Sequence, residues 1–240
     1  MRPGVAGVCE FPRGTRFPTS AHLHRVVTEA MTIRETSFFR DLLPFRLLRD
    51  TLIPEILERR KAERRLRLWS AASATGQEAY SLAILLREFF PQLEGWDVQI
   101  VGTDISQVAC EYARRGRYSR MEVNHGLPAR FLLKYFDRQG DEWHVGEDVS
   151  RMVRFERGNV CEPPVGLPSE GTRFDAVLLR NVLLCFAEED RGRVLQEVHA
   201  RMRRDAVLLL GNAEQAEDFS DRFRVAFEGE CYFYRPIEVR

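Results

Sequence analysis

The clearest alternation of apolar and polar positions in the chain lies at residues 66–70. Apolar or small residues there alternate with Arg67 and Trp69, a spacing that predicts a β-strand. A run of small residues follows and ends at Gly76. Beyond the glycine, apolar residues recur at helical spacing and predict a helix with one buried face: Ala79, Leu82, Ala83, Leu86 and Phe90.

A strand, a small-residue turn and a helix form the opening unit of a doubly wound α/β fold, whose ligands bind at the carboxyl ends of the strands. The turn contains a single glycine, so it has neither the G-x-G-x-x-G spacing of dinucleotide-binding turns nor the G-K-[ST] end of a phosphate loop. We therefore expect a ligand that is not held through a pyrophosphate.

Strands and helices continue to alternate after this unit, which predicts a mostly parallel sheet. The further predicted strands are 98–105, 174–181 and 206–211, and the further predicted helices are 108–115, 127–137 and 188–203. The last two apolar stretches, 223–228 and 231–235, predict a terminal antiparallel pair.

Short strand-like pieces at 143–145 and 152–156 follow breaks at Gly140 and Gly146. They predict a small antiparallel excursion from the main sheet at about 138–157.

The N-terminal part of the chain divides into two regions. Residues 1–19 have the proline and glycine content of a turn-rich linker, and we expect them to be flexible. Residues 20–65 predict a helical region, with a short helix after Ser20 and helical stretches near 41–49 and 54–65. Basic residues crowd the end of the last stretch, where cations complement a helix C-terminus. The principal domain is then 66–240.

Composition narrows the classes of partner. The 240 residues include 36 basic and 36 acidic side chains, and this zero formal charge gives no reason to expect a nucleic-acid or membrane surface. The five cysteines are scattered and form no C-x-x-C pair, which argues against a disulfide framework or a zinc site and favours a reducing cytoplasm. No apolar run approaches the ~20 residues of a membrane span.

Four polar residues near predicted strand ends are candidates for ligand binding. Asp104 ends the second strand, where it can accept hydrogen bonds from ribose hydroxyls or can cap the next turn through Ser106. Glu78 lies at a helix start and either complements the macrodipole or receives an ammonium group. Asn159 and Asn181 end strands, and each can contact an adenine edge or close a turn.

Four motifs resemble one enzyme family. Residues 32–40, Thr-Ile-Arg-Glu-Thr-Ser-Phe-Phe-Arg, are similar to T-x-N-x-T-x-F-F-R, and residues 69–78 are similar to W-S-A-[AG]-[CS]-S-T-G-E-E. Residues 103–105 match its [TS]-D-I, and residues 174–182 match F-D…C-R-N-V. The family is that of the CheR-type chemoreceptor glutamate methyltransferases, which use S-adenosylmethionine. The resemblance runs in order from about Thr32 to Pro236 and implies a class I methyltransferase fold.

The resemblance also implies roles for individual residues. Arg40 would pair with the methionyl carboxylate through its guanidinium fork, and Thr36 would add a hydroxyl contact. Glu78 would face the methionyl ammonium, and Asp104 would face the ribose diol. Two dipeptides would line the adenine and the cofactor floor: Asn159 with Val160, and Asn181 with Val182.

Some positions depart from the family pattern. Arg34 stands where the family has asparagine, and Cys185 stands where it has a tyrosine near the transferred methyl group. Asn212-Ala213-Glu214 replaces [GS]-x-S-E, and the helical region before the F-F-R motif is shortened to about one helix. Arg40 and Cys185 are thus the residues that the resemblance places nearest to catalysis.

The implied activity is methyl esterification of glutamate side chains in the cytoplasmic domain of a chemoreceptor. The implied protein is a cytoplasmic monomer that needs no metal, binds no nucleic acid and inserts into no membrane. The departures leave two alternatives open. One is a relative that binds S-adenosylmethionine as a regulatory module with reduced or lost catalysis, and the other is a methyltransferase for a different carboxylate or small molecule.

Overall fold

The computed structural model describes residues 26–162, 173–216 and 221–237. The predicted linker 1–19 and the predicted cap at Ser20 lie outside these ranges. The described helices are α1 (26–31), α2 (Leu43–Leu47), α3 (Ile53–Arg60), α4 (Gln77–Phe89), α5 (Gln107–Arg115), α6 (Arg120–Asn124), α7 (Ala129–Tyr135), α8 (Glu147–Ser150) and α9 (Glu188–Arg201). One π-helical segment, Leu48–Leu52, joins α2 to α3, and short 3₁₀ turns occupy Pro91–Leu93 and Leu183–Cys185.

The described strands form two sheets. They are β1 (Arg65–Ala71), β2 (Asp97–Asp104), β3 (Arg117–Ser119), β4 (Phe136–Gln139), β5 (Glu142–Val145), β6 (Val153–Arg157), β7 (Phe174–Leu179), β8 (Met202–Leu210), β9 (Phe223–Glu228) and β10 (Cys231–Pro236). The main sheet has the order β6-β2-β1-β7-β8-β10-β9, and its first five strands pair in parallel. Because β10 pairs antiparallel with both neighbours, the predicted mostly parallel sheet with a terminal antiparallel pair is confirmed.

Alternate residues of β1 enter two separate cores. Leu66 and Leu68 are fully buried in a core with α4, whereas Trp69 packs in a second core with α9. The Trp69 ring stacks on Phe174 at 5.4 Å, and its indole N–H donates to the Thr103 hydroxyl at 2.9 Å. The sheet is therefore covered on both faces, which leaves its carboxyl-terminal edge as the place for a ligand.

The small antiparallel sheet differs from the predicted excursion at 138–157. It has the order β3-β5-β4, so it begins at Arg117 and ends at Val145. The later piece, β6, instead pairs in parallel with β2 in the main sheet. The reason is packing: the Phe155 ring fills the space over Gly102, where an added Cβ would lie 2.5 Å from the ring.

The helical region also differs in detail from the prediction. Residues 43–60 form one continuous helical run, and the helix that was expected to reach residue 65 ends at Arg60. Arg60 is buried rather than exposed at the helix end, and it pairs with Asp175 at 2.6 Å and with Asp205. Arg59 and Arg60 lie in the last turn of α3, in agreement with the interpretation that cations complement this helix C-terminus, and Arg60 is in addition the partner of two carboxylates.

Among the described helices, none combines the length and the apolar character needed to cross a lipid bilayer. In the same part of the chain, histidine, cysteine and acidic side chains form no group of three or more that could hold a metal ion.

Candidate active site

One cleft of about 740 Å³ opens above the carboxyl ends of β1, β2, β6 and β7. Its walls also include residues from the segment 28–40, which precedes the sheet in the chain. All the residues that the sequence singled out for cofactor binding or catalysis line this cleft: Thr36, Arg40, Glu78, Asp104, Asn159, Val160, Asn181, Val182 and Cys185. Their roles toward a ligand stay predictions, but the structure brings them together.

The turn between β1 and α4 forms the floor of the cleft. Ala72, Ala74 and Gly76 all have left-handed φ values, of 59°, 46° and 95°. A Cβ at Gly76 would lie 2.8 Å from the Ala113 side chain and the Phe155 ring, so only glycine fits this turn without displacement. Within the turn, the buried Ser73 hydroxyl lines the cleft and has no hydrogen-bond partner among the described residues.

Asp104 is a buried carboxylate at the end of β2. Its two oxygens accept the backbone N–H groups of Ala74 (2.8 Å) and Ser106 (2.9 Å). Burial raises the pKa of Asp104 above its ordinary value, and these two hydrogen bonds offset part of the rise. The turn-capping role is therefore present, and the same side chain lines the cleft with further acceptor capacity for a diol.

Glu78 lies in the first turn of α4, and its carboxylate is held from two sides. One carboxylate oxygen accepts the Ser70 hydroxyl at 2.7 Å, and the other accepts Nη1 of Arg180 at 3.0 Å. The Arg180 side chain is 1% exposed, and its Nη2 donates to Asp41 at 2.7 Å and to the carbonyl oxygen of Arg40 at 3.0 Å. The sequence analysis gave Arg180 no role beyond its place in the R-N-V motif, and it gave Asp41 none.

The loop that carries Arg40 is fixed by its two phenylalanines. Phe38 packs edge-on against Tyr118 of the small sheet at 5.1 Å, and the backbone N–H of Phe39 donates to the Ser81 hydroxyl of α4 at 2.9 Å. The Arg40 guanidinium donates to the Glu35 carbonyl oxygen at 3.1 Å and forms no ion pair with a carboxylate of the described residues. Its charge thus remains available for an anionic ligand.

The loops after β6 and β7 present the two asparagines. Asn159 closes a turn by accepting the N–H of Cys161 at 3.1 Å, so the turn-closing alternative holds for this residue. Asn181 has a left-handed φ of 60°, and its N–H donates to Glu214 at 2.7 Å. Glu214 also accepts the N–H groups of Leu183 and Gly211, each at 2.7 Å. The buried Glu214 carboxylate therefore fixes the cleft wall beside Asn181. In the sequence, only its place at the end of the Asn212-Ala213-Glu214 motif pointed to this residue.

Cys185 lies in the 3₁₀ turn Leu183–Cys185, where its side chain is exposed on the wall of the cleft. It does not face the core. The premise that this cysteine borders the ligand is therefore consistent with its position.

Glu29 acts as a latch that holds the segment 28–36 against the start of α5, and Arg34 of the same segment pairs with it. Arg34 pairs with Glu29 at 2.9 Å, and Glu29 accepts the Ser106 hydroxyl and the N–H of Val108 at the start of α5. Although burial alone would raise it, hydrogen bonds from Ser106 and Val108 hold the pKa of Glu29 below its ordinary value. Arg34, a departure from the family pattern, thus closes an ion pair beside Asp104.

The donor and acceptor set fits a ligand with an amino-acid end and a nucleoside end. Arg40 offers an uncompensated cation for a carboxylate, Glu78 offers an acceptor for an ammonium, and Asp104 offers acceptors for a diol. S-adenosylmethionine has all three groups, so the residues present suit it.

A sequence profile described as "CheR methyltransferase, SAM binding domain" matches residues 34–231, a range that contains every predicted site residue. Chemotaxis protein methyltransferase 1 of Pseudomonas aeruginosa is 34% identical over 218 residues, which are 89% of this chain and 77% of that protein. Chemotaxis protein methyltransferase Cher2 of Pseudomonas putida is 31% identical over 227 residues, which are 92% of this chain and 80% of that protein.

Among solved structures, the magnesium protoporphyrin IX methyltransferase of Synechocystis PCC 6803 with bound SAM is similar at a TM-score of 0.41 and 15% identity, over 90% of this chain and 89% of that chain. The assignment rests on the sequence matches and not on this weak structural similarity. S-adenosylmethionine is the cofactor and methyl transfer is the activity, because the chain belongs to the CheR methyltransferase family.

Proposed function

We propose that the protein esterifies glutamate side chains in the cytoplasmic domain of a chemoreceptor, with S-adenosylmethionine as methyl donor. The relatives named above are chemotaxis protein methyltransferases, which supports a receptor substrate. The observation that carries the proposal is the cleft itself, where the unpaired Arg40 guanidinium, Glu78 and Asp104 lie together beside the exposed Cys185. We propose in addition that the protein acts as a cytoplasmic monomer, because the proposed substrate domain is cytoplasmic and the described residues of a single chain line the cleft.

The proposed contacts divide the cofactor into an amino-acid end and a nucleoside end. Arg40 and Thr36 bind the methionyl carboxylate, and Glu78 binds the ammonium group. Asp104 accepts the ribose hydroxyls. The loop pairs Asn159 with Val160, and Asn181 with Val182, border the adenine and the cofactor floor; Val160 is buried and apolar, as a base-stacking surface requires.

The chemistry asks little of the protein beyond position and exclusion of water. Bound S-adenosylmethionine supplies an electrophilic methyl group on a sulfonium sulfur. A glutamate side chain, with a pKa of about 4.3, is already an anion at neutral pH and needs no general base. The chain therefore contributes by holding the acceptor carboxylate at attack distance in a walled cleft, where Cys185 borders the space that a substrate side chain must enter.

The alternative of a regulatory module without catalysis is not favoured. The family match covers every residue proposed to bind the cofactor, and all of these residues line the cleft despite the Cys185 and Arg34 departures. Those departures act on rate and on the latch, and neither removes a contact proposed for the cofactor.

Methyl transfer is tested with tritium-labelled S-adenosylmethionine and a purified chemoreceptor cytoplasmic fragment. We expect label in the fragment that is released as methanol by mild base, the mark of a methyl ester. A fragment whose acceptor glutamates are replaced by alanine serves as the control and should remain unlabelled. Tight cofactor binding with no base-labile label on any receptor fragment would contradict the proposal and favour the module.

A further inference from the structure

Arg180 places a buried positive charge next to the position proposed for the ammonium group of the cofactor. Its side chain is 1% exposed, forms part of the cleft wall and pairs with Glu78 at 3.0 Å. An arginine at this position would repel an ammonium group bound to the same carboxylate. The site therefore needs a second anion if Glu78 is to bind an ammonium.

Asp41 supplies that second anion. It pairs with the other end of the guanidinium at 2.7 Å, and its side chain is 32% exposed. The chain Asp41–Arg180–Glu78 thus carries two negative charges and one positive charge, a net of −1 that matches one ammonium. Asp41 holds a left-handed φ of 60°, so the loop adopts an unfavourable backbone conformation at the residue that makes this contact.

Arg180 also anchors Arg40, the residue proposed to bind the carboxylate of the cofactor. Its Nη2 donates to the carbonyl oxygen of Arg40 at 3.0 Å, which anchors the backbone from which the Arg40 side chain extends. One buried guanidinium therefore connects α4, the end of β7 and the 38–41 loop, and it sets the separation of Glu78 and Arg40.

We propose that Arg180 and Asp41 are positioning residues for the amino-acid end of the cofactor: Arg180 sets the spacing of Arg40 and Glu78, and Asp41 neutralises Arg180 so that Glu78 can accept an ammonium group. The inference rests on the proposed function, in that it adopts the proposed orientation of the cofactor. A purely structural role would affect the binding of every ligand equally. If Arg180 and Asp41 position the amino-acid end, their substitution should weaken only ligands that have an amino-acid end.

The test compares two ligands by calorimetry: S-adenosylhomocysteine, and 5′-deoxy-5′-methylthioadenosine, which shares the nucleoside and thioether but lacks the amino acid. We expect Asp41→Asn to weaken the binding of S-adenosylhomocysteine on the order of tenfold, the equivalent of about 1.4 kcal/mol. The affinity for methylthioadenosine should not change. Arg180→Lys, which keeps the charge but not the fork, should show the same selectivity. Asp50→Asn is the matched control, since it removes an exposed partner of Arg49 outside the cleft.

A double variant separates action through Glu78 from an independent effect. If Asp41 acts through Glu78, Asp41→Asn should add little further loss in a Glu78→Gln background. The inference would be overturned if Asp41→Asn weakened the binding of both ligands equally, or if it weakened the binding of neither. Because the readout is a ratio of binding constants, an absence of receptor methylation would count against the proposed function and would leave this ratio measurable.

Discussion

At the scale of single residues, Asp104 combines a structural and a ligand-binding task in one carboxylate. It holds the N–H groups of Ala74 and Ser106 and so fixes the turn that forms the floor of the cleft. Burial raises the pKa of Asp104 above its ordinary value, so this carboxyl group ionises at a higher pH than an ordinary aspartate does. Protonation therefore has two effects, and they have opposite signs.

Cofactor binding should weaken as the pH falls through the raised pKa of Asp104, because a protonated carboxyl loses acceptor capacity toward the ribose. The stability of the free protein should respond in the opposite sense. A group whose folded pKa is raised contributes stability below its unfolded pKa, and that contribution is lost as pH rises through the folded pKa. Calorimetric titration with S-adenosylhomocysteine across the acid range measures the first effect.

The matched variant is Asp104→Asn. It should bind S-adenosylhomocysteine about 1.5–3 kcal/mol more weakly at neutral pH, the usual range for hydrogen bonds to a charged group, and should lose most of the acid dependence. Unchanged affinity would show that Asp104 serves the turn alone.

Cys185 allows a gain-of-function prediction. Cys185→Tyr restores the side chain typical of the family at an exposed position on the cleft wall. Since the acceptor carboxylate needs no deprotonation, the tyrosine would act by position, and we expect kcat to rise on the order of tenfold, or ~1.4 kcal/mol of transition-state stabilisation. Cofactor affinity should change little. Cys185→Ser is the control for loss of the thiol, and a tyrosine variant with intact binding but unchanged or lower kcat would refute the prediction.

At the scale of elements, hydrogen bonds to Glu29 hold the segment 28–36 to the start of α5, and a partly exposed ion pair within the segment orients Glu29. The Arg34 and Glu29 side chains are 35% and 18% exposed, so the pair is screened by solvent and contributes about 0.2–1 kcal/mol. That energy orients the Glu29 carboxylate, which accepts the Ser106 hydroxyl and the N–H of Val108 at the start of α5. It should therefore affect how fast a bound cofactor leaves more than how it is recognised.

Arg34→Asn, which introduces the residue typical of the family, should speed dissociation of S-adenosylhomocysteine roughly two- to fivefold. Stopped-flow displacement measures this rate, and added salt should speed release from the wild-type protein more than from the variant. Arg49→Asn, which breaks an exposed ion pair outside the cleft, is the control. Equal salt dependence in both proteins would argue against a latch.

At the scale of the whole molecule, a buried ionic network joins the helical region to the main sheet at the end opposite the cleft. Asp175 is 0% exposed and accepts Arg60 at 2.6 Å and the backbone N–H of Arg67 at 2.9 Å. Arg203 approaches the same carboxylate at 3.3 Å. Removing the carboxylate would leave buried cations with too few partners.

Asp175→Ala should therefore lower the free energy of unfolding by about 3–5 kcal/mol, the range for breaking a buried ion pair. Denaturant titration followed by circular dichroism measures it. Glu63→Gln, which alters an exposed acid that pairs with Arg203, should cost no more than about 1 kcal/mol. A small loss at Asp175 would mean that Asp205 alone satisfies Arg60.

The sequence predicted the cleft well because strand ends and motifs are local signals. Asp104 ends one apolar strand and Asn181 follows another, and parallel strands bring such ends to one edge. The partners of Arg180 were not predictable in this way, since Asp41 lies 139 residues away and the contact depends on how two loops cross. For the same reason, no pattern indicated that Arg60 would be buried.

The boundaries of the small sheet illustrate another limit. Its first strand, Arg117–Ser119, has three residues, too few for an alternation to be recognised. Phe155, by contrast, belongs to a strand whose apolar residues fit either sheet, and the space over two glycines decides its place in the main sheet. Periodicity gives the type of element, whereas side-chain volume selects its neighbours.

Five non-glycine residues in the 38–41 loop and in the loops that line the cleft share the left-handed backbone conformation: Phe39, Asp41, Ala72, Ala74 and Asn181. Each such residue costs about 1 kcal/mol relative to a right-handed one, so the molecule is less stable than a chain built without this cleft. Selection for heat resistance alone should therefore replace the two alanines with glycine early, ahead of changes in the core. The floor of the cleft is therefore where a heat-tolerant form of this protein should first differ from it in sequence.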